Sequence, residues 1–324
     1  MSWFSSEYTP SLEVLPLART PTVKHVYSKE FSLDAPVLVI KGPIGSRYIF
    51  PIIKGAYEGG ADYPDCKGTV HGPGADWALG HVDGSGVTLD VRLICKTPAG
   101  AAAYATVVGK SVRDAKDPTF STVSTAAVFE AADEETKWLN NKILVGVGKK
   151  LGSKIVVVYY ELVNDGSGSP ADDYKLTTTH VLSMGFQLGA SESVPNGPAG
   201  TKTIFQGISG AFKGGKGQTK LEGTISGSST YSERTLPEGH SGVCLDVKLT
   251  FKLPSGAIII VTLTGRRTLK GFATGKATVT TSAMFEVGDD ALEFKYLNNK
   301  IYHGIGTKEG NILSLDYYEV GAKP

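Results

Sequence analysis

The fold is decided by a phrase that the chain writes twice: KWLNNKILVGVGKK at Lys137–Lys150 and KYLNNKIYHGIGTK at Lys295–Lys308. Trp138-Leu139-Asn140-Asn141-Lys142-Ile143 and Tyr296-Leu297-Asn298-Asn299-Lys300-Ile301 stand 158 residues apart, and Tyr159-Tyr160-Glu161 meets Tyr317-Tyr318-Glu319 at the same offset. Working backwards, Phe129-Glu130 answers Phe285-Glu286, and GVTLDVRLICKTPAGA from Gly86 answers GVCLDVKLTFKLPSGA from Gly242, both at an offset of 156. Farther upstream, at 155, Gly55-Ala56-Tyr57 answers Gly210-Ala211-Phe212, Gly68-Thr69-Val70 answers Gly223-Thr224-Ile225, and HVYSKEFSL from His25 answers HVLSMGFQL from His180. Solenoids repeat at roughly 20 to 50 residues and show more copies, so a repeat this long is a duplicated domain. The reading is an arm (1–21), a first half (22–165), a linker (166–176) and a second half (177–324). The linker's Gly, Ser, Asp and Pro are expected to support no packed element.

Alternation inside each half is that of strands. Val87, Leu89, Val91 and Leu93 fall on one face of GVTLDVRLIC, and Thr88, Asp90, Arg92 and Ile94 on the other. TPAG and LPSG are hairpin turns leading into the next strand, and KIVVVYYEL and NILSLDYYEV are the last strand of each half. Short runs of β-branched and aromatic residues, 40 glycines and no sustained helical period give an all-β class. A long antiparallel sheet closes to remove its edges, so the expected architecture is two tandem homologous antiparallel β-barrels. In the repeated phrase, Leu and the aromatic are expected to pack inward and Asn-Asn to form a left-handed turn, which makes the phrase a mark of the fold.

Bulk numbers exclude several partners. Lys and Arg total 33 against 32 for Asp and Glu, so nucleic acid is not expected. No stretch is apolar for long enough to span a bilayer, and no leader is visible, so a soluble, cytoplasmic protein is expected. Cys66, Cys95 and Cys244 are too few and too scattered for a disulfide framework or zinc cluster, and read as small buried hydrophobes in a reducing compartment. No GxSxG, Walker loop, dinucleotide fingerprint or HExxH occurs, and no cofactor is expected.

Positions where the copies disagree are candidates for a specialised role. HGPGADWALGHVDGSG in the first half carries His71, Asp76, Trp77, His81 and Asp83, whereas GSSTYSERTLPEGHSG in the second carries Tyr231, Glu233, Arg234 and His240. An Asp beside a Trp at a barrel mouth is suited to hydrogen-bond acceptance or general-base work next to a flat apolar platform, with His81 sharing proton transfer. The alternative is a surface loop in which Asp76 caps a turn and Trp77 covers the barrel end. Intervals of five among His71, Asp76 and His81 lack the close ligand pair most metal sites show, and no metal is assigned. In the second half Tyr302, His303, Arg266 and Arg267 replace Leu144, Val145, Lys110 and Ser111. Alternation allows one of each adjacent pair to face the interior. Catalytic candidates are Asp76, His81 and Arg266; substrate-binding candidates are Trp77, His71, Tyr57, Arg92, Tyr231, Tyr302 and His303.

The order GSRYIFPIIKGAYEGG, GTVHGPGADWALGHVDGSGVTLDVR, TPAGA, FSTVSTAAVFE, WLNN and VVVYYEL resembles the small β-barrel family catalogued as uncharacterised protein family 0311, a domain of unknown function. In the second half the Gly-x-Asp-Trp element is missing and Tyr296 replaces Trp, so the likeness there rests on LDVK, FE and YLNN. Tandem versions are similar to fungal enzymes of natural-product pathways proposed to perform hetero-Diels-Alder cyclisations on tropolone-type quinone methides. The resemblance implies a cofactor-independent cyclase acting on an apolar small molecule in a barrel or between barrels, with a homodimer possible. Two other classes stay open: a non-catalytic small-molecule carrier, and a hydrolase or isomerase using Asp76 and His81.

Overall fold

A computed structural model describes residues 20–42, 45–82, 84, 86–117, 120–163, 167–197, 200–205, 208–225, 230–235, 242–268 and 276–323. Asp83, His240 and most of the N-terminal arm lie outside the described residues.

The first half folds as β1 (Thr22–Leu33), β2 (Val37–Gly42), β3 (Gly45–Gly59), β4 (Gly68–Gly80), β5 (Val87–Lys96), β6 (Ala102–Arg113), β7 (Phe120–Ala131), β8 (Leu144–Leu151) and β9 (Lys154–Val163). From β3 to β9 each strand pairs with the next in sequence. β1 pairs antiparallel with both β3 (Lys29 opposite Tyr57) and β9 (Tyr27 opposite Tyr159), which closes a ring of eight strands. β2 lies outside the ring, paired with the start of β3, and forms a lip at one end. Period-two burial makes Tyr27, Lys29, Phe31 and Leu33 of β1 and Leu89, Val91, Leu93 and Cys95 of β5 point inward.

Residues 166–176 were expected to be an unpacked linker, and the structure differs. β10 (Ser169–Pro170) pairs with Thr22 and Val23, and Ala171–Tyr174 forms a 3-10 turn. Tyr174 supplies what a Gly-Ser-Pro composition lacks: its hydroxyl donates to Asp62 at 2.7 Å and its ring packs edge-on against Tyr160.

The second half folds as β11 (Leu176–Gln187), β12 (Ser191–Gly197), β13 (Gly200–Phe205), β14 (Ser209–Gly214), β15 (Glu222–Ile225), β16 (Thr230–Thr235), β17 (Val243–Lys252), β18 (Ile258–Arg267), β19 (Lys276–Val287), β20 (Tyr302–Glu309) and β21 (Ile312–Ala322). The ring again has eight strands, β11, β14, β15, β17, β18, β19, β20 and β21, closed by the pairing of β17 with β18. β12, β13 and β16 make its lip. The all-β class with two duplicated barrels therefore holds. Among the described residues no helix is long and apolar enough to cross a membrane.

The repeated phrase has a different local structure from the expected Asn-Asn turn. Lys137–Asn141 is a 3-10 turn, and no asparagine of either copy adopts positive φ there. Asn140 is buried; its Oδ1 accepts from the Ala131 N–H at 2.8 Å and its Nδ2 donates to the Ala131 carbonyl at 2.8 Å. Asn298 does the same with Val287, at 2.8 and 3.0 Å. The side-chain amide carries one acceptor and a donor group, so it stands in for a missing neighbouring strand at the end of β7 and of β19. Lys142 pairs with Glu161, and Lys300 with Glu319, which ties the phrase to the YYE strand in both copies. Leu139 and Leu297 are buried as expected. The aromatic packs inward in the first copy only: Trp138 is half-buried against the core cluster and stacks on Tyr63, whereas Tyr296 is exposed and donates to Gln218 at 2.5 Å.

Candidate functional site

At the end of the first barrel that carries the repeated phrase lies a cavity of about 310 Å³. Tyr27, Tyr57, Cys95, Ala103 and Phe129 reach it from the ring, and Tyr63, Pro64, Cys66, Trp138 and Leu139 wall it from the connections. Tyr63 and Trp138 stack in parallel, with centroids 5.0 Å apart. Tyr63 is fixed from its other end, its hydroxyl donating to Glu161 at 2.8 Å. Asp62, Asp65 and Glu135 stand at the rim. Tyr57 can lie against β4 because Gly68 has no side chain; a Cβ there would come within 2.6 Å of the Tyr57 hydroxyl.

Burial pushes the hydroxyls of Tyr27, Tyr57 and Tyr63 well above the usual phenol range, so they are protonated hydrogen-bond donors at ordinary pH. Burial also raises the Cys66 thiol to about 12 and pushes Cys95 up, so neither is a thiolate at neutral pH. That agrees with reading them as small hydrophobes. The walls are therefore apolar and aromatic, with neutral donors and no activated nucleophile among these residues.

Of the candidates named from sequence, Tyr57 lies in this cavity. Asp76 points inward at the opposite end, since it pairs with Phe50, seven residues from Tyr57 along β3 and roughly 23 Å away at 3.3 Å per residue. It is 4% exposed and accepts the Asp90 N–H at 3.1 Å. Burial raises its carboxyl to about 6, against the lowering effects of that hydrogen bond and of Lys150. Lys150, whose own ammonium burial pushes downward, sits 4.4 Å from the centre of the Phe50 ring.

The GADW stretch is part of β4 and not a loop, so alternation sends Trp77 outward, 38% exposed. His71 is exposed and hydrogen-bonded with Thr69 at 2.7 Å; His81 is hydrogen-bonded with Thr88 at 2.8 Å. Five residues of strand separate Asp76 from His81, about 16 Å, so the two do not form an acid–base pair. Arg92 is on the outer face, paired with Asp90. Among the described residues no group of three His, Cys, Asp or Glu is placed to hold a metal ion.

In the second barrel Tyr231 occupies the place of Asp76, opposite Val247 as Asp76 is opposite Val91. Its buried hydroxyl donates to Glu233 at 2.8 Å, and Arg267 donates to Glu233 at 2.7 Å. Lys308, equivalent to Lys150, is 3.7 Å from Glu233 and 5.5 Å from the centre of the Phe205 ring. Both members of each adjacent pair are buried, Arg266 with Arg267 and Tyr302 with His303, where one exposed member was expected. Burial lowers His303 to about 3, so it is neutral, and among the described residues neither ring nitrogen has a hydrogen-bond partner.

Sequence reasoning missed Tyr27, Tyr63, Cys95, Phe129 and Trp138 as walls of one cavity. The signal was present in strand interiors, where Tyr27 answers Leu182 and Cys95 answers Phe251.

Residues 21–162 and 176–320 each match the family described as Protein of unknown function (DUF3237). No curated protein matches the chain. Among solved structures, a conserved protein of unknown function from Rhodopseudomonas palustris is 21% identical over 45% of this chain and 100% of its own, with a TM-score of 0.41. A β-barrel-like protein from Acinetobacter baumannii AYE is 25% identical over 45% of this chain and 100% of its own, with a TM-score of 0.39. An enzyme from Penicillium herquei is 18% identical over 46% of this chain and 98% of its own, with a TM-score of 0.36.

Proposed function

The chain belongs to the DUF3237 family as a tandem pair, and from that premise we propose that it is a cofactor-independent cyclase for an apolar small molecule bound in the first barrel. The finer form of the proposal is a hetero-Diels-Alder-type cycloaddition on a quinone-methide-like substrate of a natural-product pathway.

The cavity carries this reading. Its volume of about 310 Å³ is at the lower end of small-molecule sites, and its walls are aromatic. A cycloaddition of this type joins a C=C–C=O unit to an alkene: one C–C and one C–O bond form, three π bonds become one, and nothing is oxidised or reduced. It needs two flat partners held in near-attack geometry and a hydrogen bond to the heterodiene oxygen. The stacked Tyr63 and Trp138 pair supplies a flat wall, and the protonated Tyr27 and Tyr57 hydroxyls supply donors. Neither a nucleophile nor a bound cofactor enters the step.

The test is incubation with a 2-hydroxybenzyl alcohol, which loses water to give an ortho-quinone methide, and an electron-rich alkene. The expected result is a faster appearance of the chroman product, slowed about tenfold by Tyr57→Phe, the size of one lost oxyanion-type hydrogen bond or less. Saturable binding of the aromatic partner without acceleration overturns the catalytic reading in favour of a carrier.

A further inference from the structure

Lys29 is a charged side chain in the wrong place for a fold element. It is 1% exposed, on the inward face of β1, and among the described residues its Nζ has no hydrogen-bond partner. Three ring faces surround it: Nζ is 4.8 Å from the Tyr159 centroid, 5.7 Å from Phe31 and 5.8 Å from Tyr27. Tyr27 and Cys95, both in electrostatic or ring contact with Lys29, also line the cavity, so Nζ lies one layer beneath its floor. The Tyr27 hydroxyl is likewise buried without a hydrogen-bond partner among the described residues. Two donors behind the cavity wall are thus without an acceptor among the described residues.

The second barrel shows that the ring does not require this. Met184 takes the place of Lys29 and Leu182 that of Tyr27, both fully buried. A buried cation is costly unless something pairs it, and ring faces recover part of that cost. An anionic oxygen is the partner whose chemistry suits such a pair of donors. It cannot come in as a permanently charged ligand without passing the carboxylates of Asp62, Asp65 and Glu135 at the rim.

We propose that the first-barrel cavity selects acidic hydroxyl compounds, phenols and enols, which enter neutral and, once the Tyr27 ring between the cavity and Nζ turns aside, are held as oxyanions by the Lys29 ammonium and the Tyr27 hydroxyl. On binding the ligand O–H bond breaks, its proton passes to water at the rim, and the oxyanion pairs with Nζ; no other bond changes. This rests on the reading of the cavity as the ligand chamber and names the substrate class for it. Such an oxyanion also pushes electrons toward a benzylic carbon, which is how a hydroxybenzyl compound expels water to become a quinone methide.

The experiment uses 4-nitrophenol, whose phenolate absorbs at longer wavelength than the phenol, with 4-nitrotoluene as the same ring without an acidic hydroxyl. Absorbance titration of the whole chain with 4-nitrophenol, buffered below that phenol's own pKa, is expected to give a saturable phenolate band, equivalent to a lowering of its pKa by about one unit. Lys29→Met, the residue of the second barrel, is expected to abolish the band while 4-nitrotoluene still quenches tryptophan fluorescence. Tyr27→Phe is expected to shrink the band without removing it, and keeps the test open should the lysine variant not fold. Bound nitrophenol with an unshifted spectrum, or a band that survives Lys29→Met, overturns the proposal and leaves the chamber standing if 4-nitrotoluene binds. If neither compound binds the unaltered chain, the chamber falls and this proposal with it.

Discussion

At the end of the ring that carries the repeated phrase, the first barrel places Tyr57, Cys66 and Cys95 where the second places Phe212, Leu221 and Phe251. Phe129 and Phe285 are equivalent in the two copies. In the second barrel Phe212 and Phe251 stack with centroids 4.0 Å apart, and Phe285 meets Phe251 edge-on at 6.3 Å. In the first barrel a thiol takes the place of the middle ring, and a cavity takes the space. At this end equivalent strand positions carry stacked rings in one copy and line a chamber in the other, so the difference lies in a few inward side chains. Strand pairing fixes the ring; the inward set decides whether it is empty.

The largest expected break of this comparison is Phe251→Ala. It should open a chamber in the second barrel and cost about 3–5 kcal/mol of that barrel's stability, read from its denaturation midpoint. A loss under about 1 kcal/mol would show that the stacked rings do not hold that core. The converse change, Cys95→Phe, puts a ring over Tyr57, and binding of 4-nitrotoluene should fall by about a hundredfold, equivalent to about 2.7 kcal/mol, while the circular dichroism of the sheet is retained. Unchanged affinity would place the ligand elsewhere.

The opposite end of the rings gives a pH test. Folded Asp76 keeps its proton up to about pH 6, whereas an ordinary aspartate loses it near 3.8. Between those values the folded state binds more protons than the unfolded one, so this residue's contribution to stability falls as pH rises from about 4 to 6 and is flat above. Asp76→Asn should remove that fall and gain of the order of 2 kcal/mol over the unaltered chain at pH 7 relative to pH 4. Parallel stability profiles for the two proteins would refute the raised carboxyl. The smallest effect is on Lys29→Met, which makes the first barrel's interior more like the second's and should raise its stability by about 1 kcal/mol, measured as a higher midpoint in urea. A lowered midpoint would mean that Lys29 is held by an unseen partner within the fold.

Much of the architecture was legible because duplication prints the same constraints twice. The LDVR and LDVK alternation, the TPAG and LPSG turns and the closing YYE strands all mark positions that a ring needs whatever it contains. The role of Asn140 and Asn298 was not legible: sequence shows an asparagine pair but not that its amide replaces a strand neighbour at Ala131 and Val287. The chamber was partly visible. Comparing copies pointed to the GADW stretch because its differences are conspicuous, yet β4 turns Trp77 outward and carries Asp76 to the far end. The informative differences were single changes inside strands, Lys29 for Met184 and Cys95 for Phe251, which look isolated in the sequence until the register turns both into one barrel interior.

The way each ring closes has a consequence for how such a chain can arise and be re-engineered. Thr22, at the start of β1, pairs with Val163, at the end of β9, so the first barrel begins and ends on neighbouring strands. A unit whose two ends meet can be copied head to tail with a short joint, and each copy can then drift without breaking the pairing of the other. The same adjacency means that the chain of one ring could be reopened at the exposed Thr97–Ala101 hairpin and rejoined near residue 163 with its topology unchanged. A permuted barrel of that kind would carry the chamber as a portable module, with the two new ends placed beside its entrance.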